Sequence, residues 1–115
     1  MSVRRLTTDF VVSPQISVQD ITAIRDAGFK TIICNRPDGE EPGQPSAQSI
    51  GEAAAAAGLS FIAIPVGAGQ APSSDAIIET QEAINTLPGP IFAYCRSGNR
   101  SAVVGCCNTG LRLSL

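Results

Sequence analysis

A seven-residue segment near the carboxyl end of the chain has the residue types best suited to chemistry: residues 95–101 read Cys-Arg-Ser-Gly-Asn-Arg-Ser. Gly98 and Asn99 tolerate a positive φ, so successive backbone N–H groups can curl into a nest that binds an anion. The guanidinium fork of Arg100 matches phosphate or sulfate oxygens and closes the ring. Because such positive surroundings lower the pKa of a thiol to between about 3.5 and 7.5, Cys95 is predicted to be a thiolate.

The remaining side chains of this segment support the same chemistry. Ser101 can donate a hydrogen bond to the thiolate or to a leaving sulfur. We predict catalytic roles for Cys95, Arg100 and Ser101. The predicted anion-binding residues of the segment are Arg96, Ser97, Gly98, Asn99 and Arg100. The alternative interpretation of Cys95 is a small buried residue at the end of a strand, but such cysteines are inert and lack a paired arginine nest.

Composition narrows the choice of chemistry. The 115-residue chain contains no histidine, which excludes Ser-His, Cys-His and His-metal mechanisms. We therefore predict no metal and no other cofactor. The formal net charge is −2, so no overall positive field attracts nucleic acid or an anionic membrane surface. The predicted partner is a small anionic substrate that binds at a local site.

Strand and helix signals alternate along the chain and position this segment. A mostly parallel sheet of four to five strands is predicted, flanked by helices on both faces in a three-layer α/β fold. Ligands of such sheets bind at the carboxyl ends of the strands, and Cys95 directly follows the last predicted strand. The predicted elements are strand 10–12, helix 17–28, strand 31–34, helix 46–57, strand 61–66, helix 73–87 and strand 91–94.

Three motifs resemble those of a known family. Residues 35–45 read Asn-Arg-Pro-Asp-Gly-Glu-Glu-Pro-Gly-Gln-Pro, residues 94–101 read Tyr-Cys-Arg-Ser-Gly-Asn-Arg-Ser, and residues 13–16 read Ser-Pro-Gln-Ile. Together they resemble the phosphatase-like domain of the beta-lactamase hydrolase-like proteins, over residues 1 to about 104. The resemblance implies a fold like that of the dual-specificity phosphatases, with Cys95 as nucleophile and Arg100 as anion ligand.

The loop departs from the tyrosine-phosphatase pattern of His-Cys-x5-Arg. Tyr94 stands in place of the histidine, and only four residues separate Cys95 from Arg100. This shorter ring resembles that of the rhodaneses, sulfurtransferases whose cysteine carries a persulfide. Both chemistries therefore stay open.

A phosphatase general acid, an Asp on the loop after the preceding strand, has no obvious counterpart in residues 67–70, which read Gly-Ala-Gly-Gln. In a phosphatase-like sheet the strand ending at Cys34 neighbours the strand ending at Cys95. Asp38 is thus the first candidate for the general acid and Glu40 the second, while Arg36 is a further anion-binding candidate. The alternative is that the Asp-Gly pair at 38–39 forms a turn and the glutamates are solvated.

The four cysteines include no C-x-x-C pair and are predicted to be reduced thiols. Cys34 is more typical of a strand residue than of a resolving thiol, and Cys106 and Cys107 are predicted to be structural. The basic N-terminus lacks the apolar run of a signal peptide, and the longest apolar stretches are far shorter than a membrane span. A cytoplasmic location is expected.

A single phosphatase-like domain over residues 1–115 is predicted, with an atypical end from about residue 105. There the sequence loses its resemblance to the family, whose members continue in a longer helix. A homodimer or another partner could bury an apolar face left uncovered, and a truncated tail would look identical.

Three function classes fit these observations. The leading one is a cysteine-dependent phosphatase-type hydrolase acting on a phosphate ester. The alternative is a rhodanese-type sulfurtransferase carrying a persulfide on Cys95. The third is an anion-binding module without turnover.

Overall fold

A five-stranded sheet forms the centre of the computed structural model, which describes residues 3–7, 9–67 and 73–103. In space the strands lie in the order β1-β2-β5-β3-β4; β1 runs antiparallel to β2, and the other neighbours are parallel. The predicted α/β architecture is confirmed. The strands are β1 (Arg4–Thr7), β2 (Phe10–Ser13), β3 (Thr31–Cys34), β4 (Ser60–Ala63) and β5 (Ile91–Tyr94).

The three central strands are buried along their whole length. Their sequences, FVVS in β2, TIIC in β3 and IFAY in β5, are continuous apolar or β-branched runs. Such runs are typical of parallel strands covered on both faces. Register pairs Tyr94 with Cys34 on one side and with Ser13 on the other, so β2, β5 and β3 end level with one another.

Helices cover both faces of the sheet. On one face, α1 (Ile21–Asp26) and α2 (Ala47–Ala56) pack in a core with Ile32 and Phe92. On the other, α3 (Ser74–Thr86) packs in a core with Ile33 and Ile91. No helix among the described residues is both long and apolar enough to cross a membrane.

Serine side chains set the starts of the two longer helices. Ser46 Oγ accepts the Ser49 N–H at 3.1 Å before α2, and Ser73 Oγ accepts the Ala76 N–H at 3.0 Å before α3. Each contact satisfies a backbone donor that has no partner within its helix. Both starts therefore agree with the predicted helices to within one residue.

Three elements differ from the prediction. The predicted helix 17–28 is a 3-10 turn at Val18–Asp20 followed by α1, which ends at Asp26. Strand β1 is absent from the predicted elements, because its Arg-Arg start lacks the apolar run that indicates a buried strand. Strand β4 ends at Ala63, earlier than the predicted residue 66. Pro65 lacks an N–H to donate, yet the N–H groups of Ile64 and Val66 still donate to the carbonyls of Cys34 and Asn35, both at 2.8 Å. Most of the predicted second loop, residues 68–72, and the tail from 104 lie outside the described residues.

Candidate active site

The carboxyl ends of the three central strands meet around the cysteine segment. The Cys95 N–H donates to the Ser13 carbonyl at 3.2 Å, and the Asn35 N–H donates to the Tyr94 carbonyl at 2.8 Å. A further bond joins the Gln15 N–H to the Arg96 carbonyl at 3.2 Å. Residues 95–101 are thus held between the loop that follows β2 and the loop that follows β3, as the topology of a parallel sheet requires.

The sulfur of Cys95 is buried among hydrogen-bond donors. The Gly98 N–H donates to Cys95 Sγ at 3.1 Å, from a glycine with φ of +94°. Burial alone would raise the pKa of Cys95, but the amide and hydroxyl of Ser101 and the amides of Gly98 and Ser97 lower it further than burial raises it. The loop therefore stabilises a thiolate.

Ser101 is the third residue of a helical stretch described over residues 99–103. Its side chain is fully buried, and within the described part of the chain its hydroxyl has no oxygen or nitrogen partner. The nearby Ser101 side chain contributes to the lowered pKa of the Cys95 thiol. The structure brings Ser101 and Cys95 together as the sequence predicts.

Arg100 is held by a carboxylate from a distant loop. Its Nη1 and Nη2 donate to Glu40 Oε2 and Oε1 at 2.7 and 2.8 Å, and Nη1 also donates to the Val66 carbonyl at 2.9 Å. This two-point contact fixes the guanidinium plane. Contact with Glu40 is the main cause of the raised pKa of Arg100, and the nearby Cys95 thiol contributes to it.

Arg36 is almost fully buried, and it hydrogen-bonds within its own loop and to the loop that follows β2. Nε donates to Glu40 Oε1 at 2.8 Å, Nη2 to Glu41 Oε1 at 2.9 Å, and Nη1 to Gln15 Oε1 at 3.0 Å. The sequence predicts an anion-binding side chain here. The structure places Arg36 beside residues 95–101, but its donors bind these three side chains. Its contacts therefore link the loop after β3 to the loop after β2.

The two candidate general acids lie in different surroundings. Hydrogen bonds from Arg100 and Arg36 lower the pKa of Glu40 to about 2. The contribution of Arg100 is the larger of the two and exceeds the opposing effect of burial. Glu40 is a poor general acid, because two guanidiniums bind both of its oxygens and oppose its protonation. Asp38 is exposed, and its Oδ1 accepts the Ala47 N–H at 2.8 Å at the start of α2.

The rim of the site carries exposed polar groups. Arg96 has a 66% exposed side chain, and its Nη2 lies 3.9 Å from Glu41 Oε2. Ser97 Oγ accepts the Asn99 N–H at 3.3 Å. Asn99 Oδ1 accepts a hydrogen bond from Arg4 Nη2 at 3.1 Å. Sequence reasoning missed Arg4, because only the antiparallel pairing of β1 with β2 brings it to this end of the sheet.

The pKa of the second buried cysteine, Cys34, is raised, whereas that of Cys95 is lowered. Cys34 Sγ contacts the Arg36 carbonyl at 3.4 Å, and burial raises the pKa of Cys34 despite hydrogen bonds from Tyr94 and the backbone. Both thiols are free. Cys34 is thus a protonated strand residue in the interior, whereas Cys106 and Cys107 lie outside the described residues. Within the described ranges no three Cys, Asp or Glu side chains are grouped to hold a metal ion.

The sheet order, the helices on both faces and a cysteine loop after the central strand define a phosphatase-like α/β domain. Residues 2–111 match the family model described as the phosphatase-like domain of the beta-lactamase hydrolase-like protein. The chain belongs to this family.

Sequence and structural relatives agree with this assignment. The chain is 37% identical over 101 residues to the beta-lactamase hydrolase-like protein of Agrobacterium fabrum, covering 88% of this chain and 23% of that protein. It therefore spans about a quarter of that relative. A candidate phosphatase from Neisseria meningitidis is 34% identical with a TM-score of 0.81, covering 90% of this chain and 73% of that one. Tk-PTP in its active form, 20% identical, shares the fold with a TM-score of 0.72, covering 98% of this chain and 78% of that one.

Proposed function

We propose that this domain is a cysteine-dependent phosphatase-type hydrolase that acts on a small phosphate ester through the Cys95 thiolate. The observation that carries the proposal is the Gly98 N–H that donates to Cys95 Sγ at 3.1 Å. The lowered pKa of this thiol, to which Ser101 contributes, agrees with it. A lowered pKa gives a thiol its nucleophilic form at neutral pH. The phosphatase-like family supports phosphorus as the atom attacked.

The reaction needs two displacements. Cys95 Sγ attacks phosphorus, an S–P bond forms, and the P–O bond to the leaving group breaks with its electron pair on oxygen. Water then attacks the thiophosphoryl intermediate, which releases phosphate and returns the thiolate, with Ser101 as hydrogen-bond donor to the departing sulfur. Loop amides and Arg100 stabilise the charge on the phosphoryl oxygens. Glu40 keeps Arg100 in place through two hydrogen bonds.

Asp38 is the proposal's general acid, and it must release the Ala47 N–H to reach a leaving group. Until it does, an alkoxide is hard to expel. We therefore expect activity to favour phenolic esters and to fall steeply as the pKa of the leaving group rises. The substitution Asp38→Asn should reduce the rate by up to about 10²-fold if this role is correct. An equal rate in wild type and variant would remove Asp38 from the mechanism.

The decisive experiment compares hydrolysis of an aryl phosphate by wild type, Cys95→Ser and Cys34→Ala. Cys95→Ser should lose activity to background, because a hydroxyl at that position has no comparable tendency to ionise. Cys34→Ala is the matched control, since it removes the other buried thiol of the described residues, whose pKa is raised. Turnover in Cys95→Ser equal to that of wild type would overturn the proposal.

One observation favours a second candidate, a persulfide sulfurtransferase: the ring between Cys95 and Arg100 has four residues, the rhodanese length. In that reaction the thiolate attacks the sulfane sulfur of thiosulfate, and an S–S bond forms as sulfite leaves. An acceptor thiolate then takes the outer sulfur and releases Cys95. Intact mass after incubation with thiosulfate tests this candidate. A gain of one sulfur atom on Cys95, with no aryl phosphate turnover, would favour it over the phosphatase.

A non-catalytic anion-binding module is the remaining outcome. It would bind phosphate and raise the melting temperature, without hydrolysis and without persulfide formation. Both proposed enzymatic functions require a reduced Cys95, and thiols stay reduced in a reducing compartment.

A further inference from the structure

Two of the guanidiniums at the carboxyl end of the sheet are compensated by carboxylates within the protein. Arg100 and Arg36 share Glu40, and Arg36 also binds Glu41. These two guanidiniums therefore have carboxylate partners within 2.9 Å. Glu40 and Glu41 neutralise much of their positive charge. The two arginines therefore add little attraction for an anionic group that lies outside the cysteine loop.

Arg4, unlike these two arginines, has no carboxylate partner among the described residues. It is the first residue of β1 and lies opposite Val12, near the carboxyl end of β2. Its side chain is exposed and reaches the cysteine loop, where Nη2 donates to Asn99 Oδ1 at 3.1 Å. Among the described residues Arg4 forms no ion pair, so one neutral amide oxygen is the partner of a full positive charge.

The loop backbone leaves room for this guanidinium. A Cβ on Gly98 would lie 3.1 Å from Arg4 Nη2. The glycine therefore has two roles, since its φ of +94° places an N–H on Cys95 Sγ and its missing side chain lets Arg4 approach the loop. Arg4 is thus held directly beside the loop that would bind the scissile phosphate, with donors facing solvent.

We propose that Arg4 forms a second anion subsite, so that the preferred substrate carries another anionic group beside the scissile phosphate. This inference rests on the proposed function, because it takes the loop around Cys95 as the primary phosphate site. A guanidinium has five N–H donors in a fixed fork, and Asn99 accepts one of them. The remaining donors suit the oxygens of a second phosphate or a carboxylate.

The test compares inorganic pyrophosphate with inorganic phosphate as ligands, by calorimetry on wild type, Arg4→Gln and Arg25→Gln. Wild type should bind pyrophosphate roughly 10-fold more tightly than phosphate, and in Arg4→Gln this ratio should fall to about twofold. Arg25→Gln is the matched control. It removes an exposed arginine that pairs with Asp26 at the end of α1. This end of α1 precedes the start of β3, whereas Arg4 lies near the end of β2. Its ratio should equal that of wild type.

Each result bears on the proposal. An equal loss of affinity for both ligands in Arg4→Gln would mean that Arg4 only supports the loop, and an unchanged ratio would exclude the subsite. Weaker pyrophosphate preference in high salt supports an exposed ionic contact. If the preference for pyrophosphate depends on Arg4 but no hydrolysis depends on Cys95, the subsite is supported and the phosphatase proposal is rejected. If hydrolysis depends on Cys95 but pyrophosphate is not preferred, the phosphatase proposal is supported and the subsite is rejected.

Discussion

Glu40→Gln removes the negative charge that Arg36 and Arg100 share. Glu40 Oε1 and Oε2 accept three hydrogen bonds from the two guanidiniums, at 2.7 to 2.8 Å. The amide of glutamine keeps one acceptor, but its NH2 group faces a guanidinium, donor against donor. The substitution should therefore destabilise the fold by more than the loss of a single neutral hydrogen bond.

The magnitude follows from the pKa of Glu40. The two arginines hold it at about 2, against an ordinary value of 4.5. A tenfold change in a protonation equilibrium corresponds to about 1.4 kcal/mol, so the ionised carboxylate contributes about 3 kcal/mol to the free energy of unfolding. Because the folded pKa lies below the unfolded one, this contribution is complete above pH 4.5 and is lost as the pH falls towards 2.

Urea unfolding at pH 7 and pH 3 measures this contribution. At pH 7 Glu40→Gln should be less stable than wild type by about 3 kcal/mol, which lowers Tm by on the order of 10 °C in a domain of this size. At pH 3 roughly half of the difference should remain. Glu79→Gln is the control, since Glu79 is exposed on α3 and its replacement should cost less than about 0.5 kcal/mol. Equal losses in the two variants at pH 7 would refute the role of the shared carboxylate.

Two further predictions concern the cysteine loop. At pH 6.5 iodoacetamide should modify Cys95 at least about 10-fold faster than Cys34, because the first has a lowered and the second a raised pKa; peptide mapping that finds equal rates in the folded protein would contradict this. Gly98→Ala and Gly58→Ala should each destabilise the fold by roughly 1 to 2 kcal/mol, since both glycines have a positive φ. Only Gly98→Ala should also slow aryl phosphate hydrolysis, by roughly 10-fold or more, because strain at its positive φ would shift the N–H that donates to Cys95 Sγ; a matching loss in Gly58→Ala would contradict that.

Strands β3 and β5 could be placed from the sequence because burial on both faces leaves a signal in the residues themselves. Each is a continuous apolar or β-branched run, and the sheet buries every residue of both. An edge strand has no such requirement. The basic start of β1 at Arg4 and Arg5 therefore did not indicate a strand, and only its pairing with β2 shows it as one.

The contacts around the Cys95 sulfur could also be predicted from the sequence, since they depend on residues that lie close together in the chain. A glycine three positions after Cys95 and a serine six positions after it can turn their donors onto the sulfur within a single loop. Residue types at short spacing determine such contacts locally, with little help from the rest of the fold.

The carboxylate that binds Arg100 could not be predicted from the sequence, because the contact joins two distant loops. Asp38 and Glu40 are both carboxylates in the loop after β3, and their residue types give no reason to prefer either. The parallel pairing of β3 with β5 brings that loop beside Arg100, 60 positions further along the chain. The backbone path then turns Glu40 to the guanidinium and Asp38 to the first turn of α2. Residue types in the sequence determined which cysteine lies in a loop of hydrogen-bond donors. Tertiary structure alone decided that Glu40 binds Arg100 and that Arg4 reaches the cysteine loop, because each of these contacts joins residues distant in the chain.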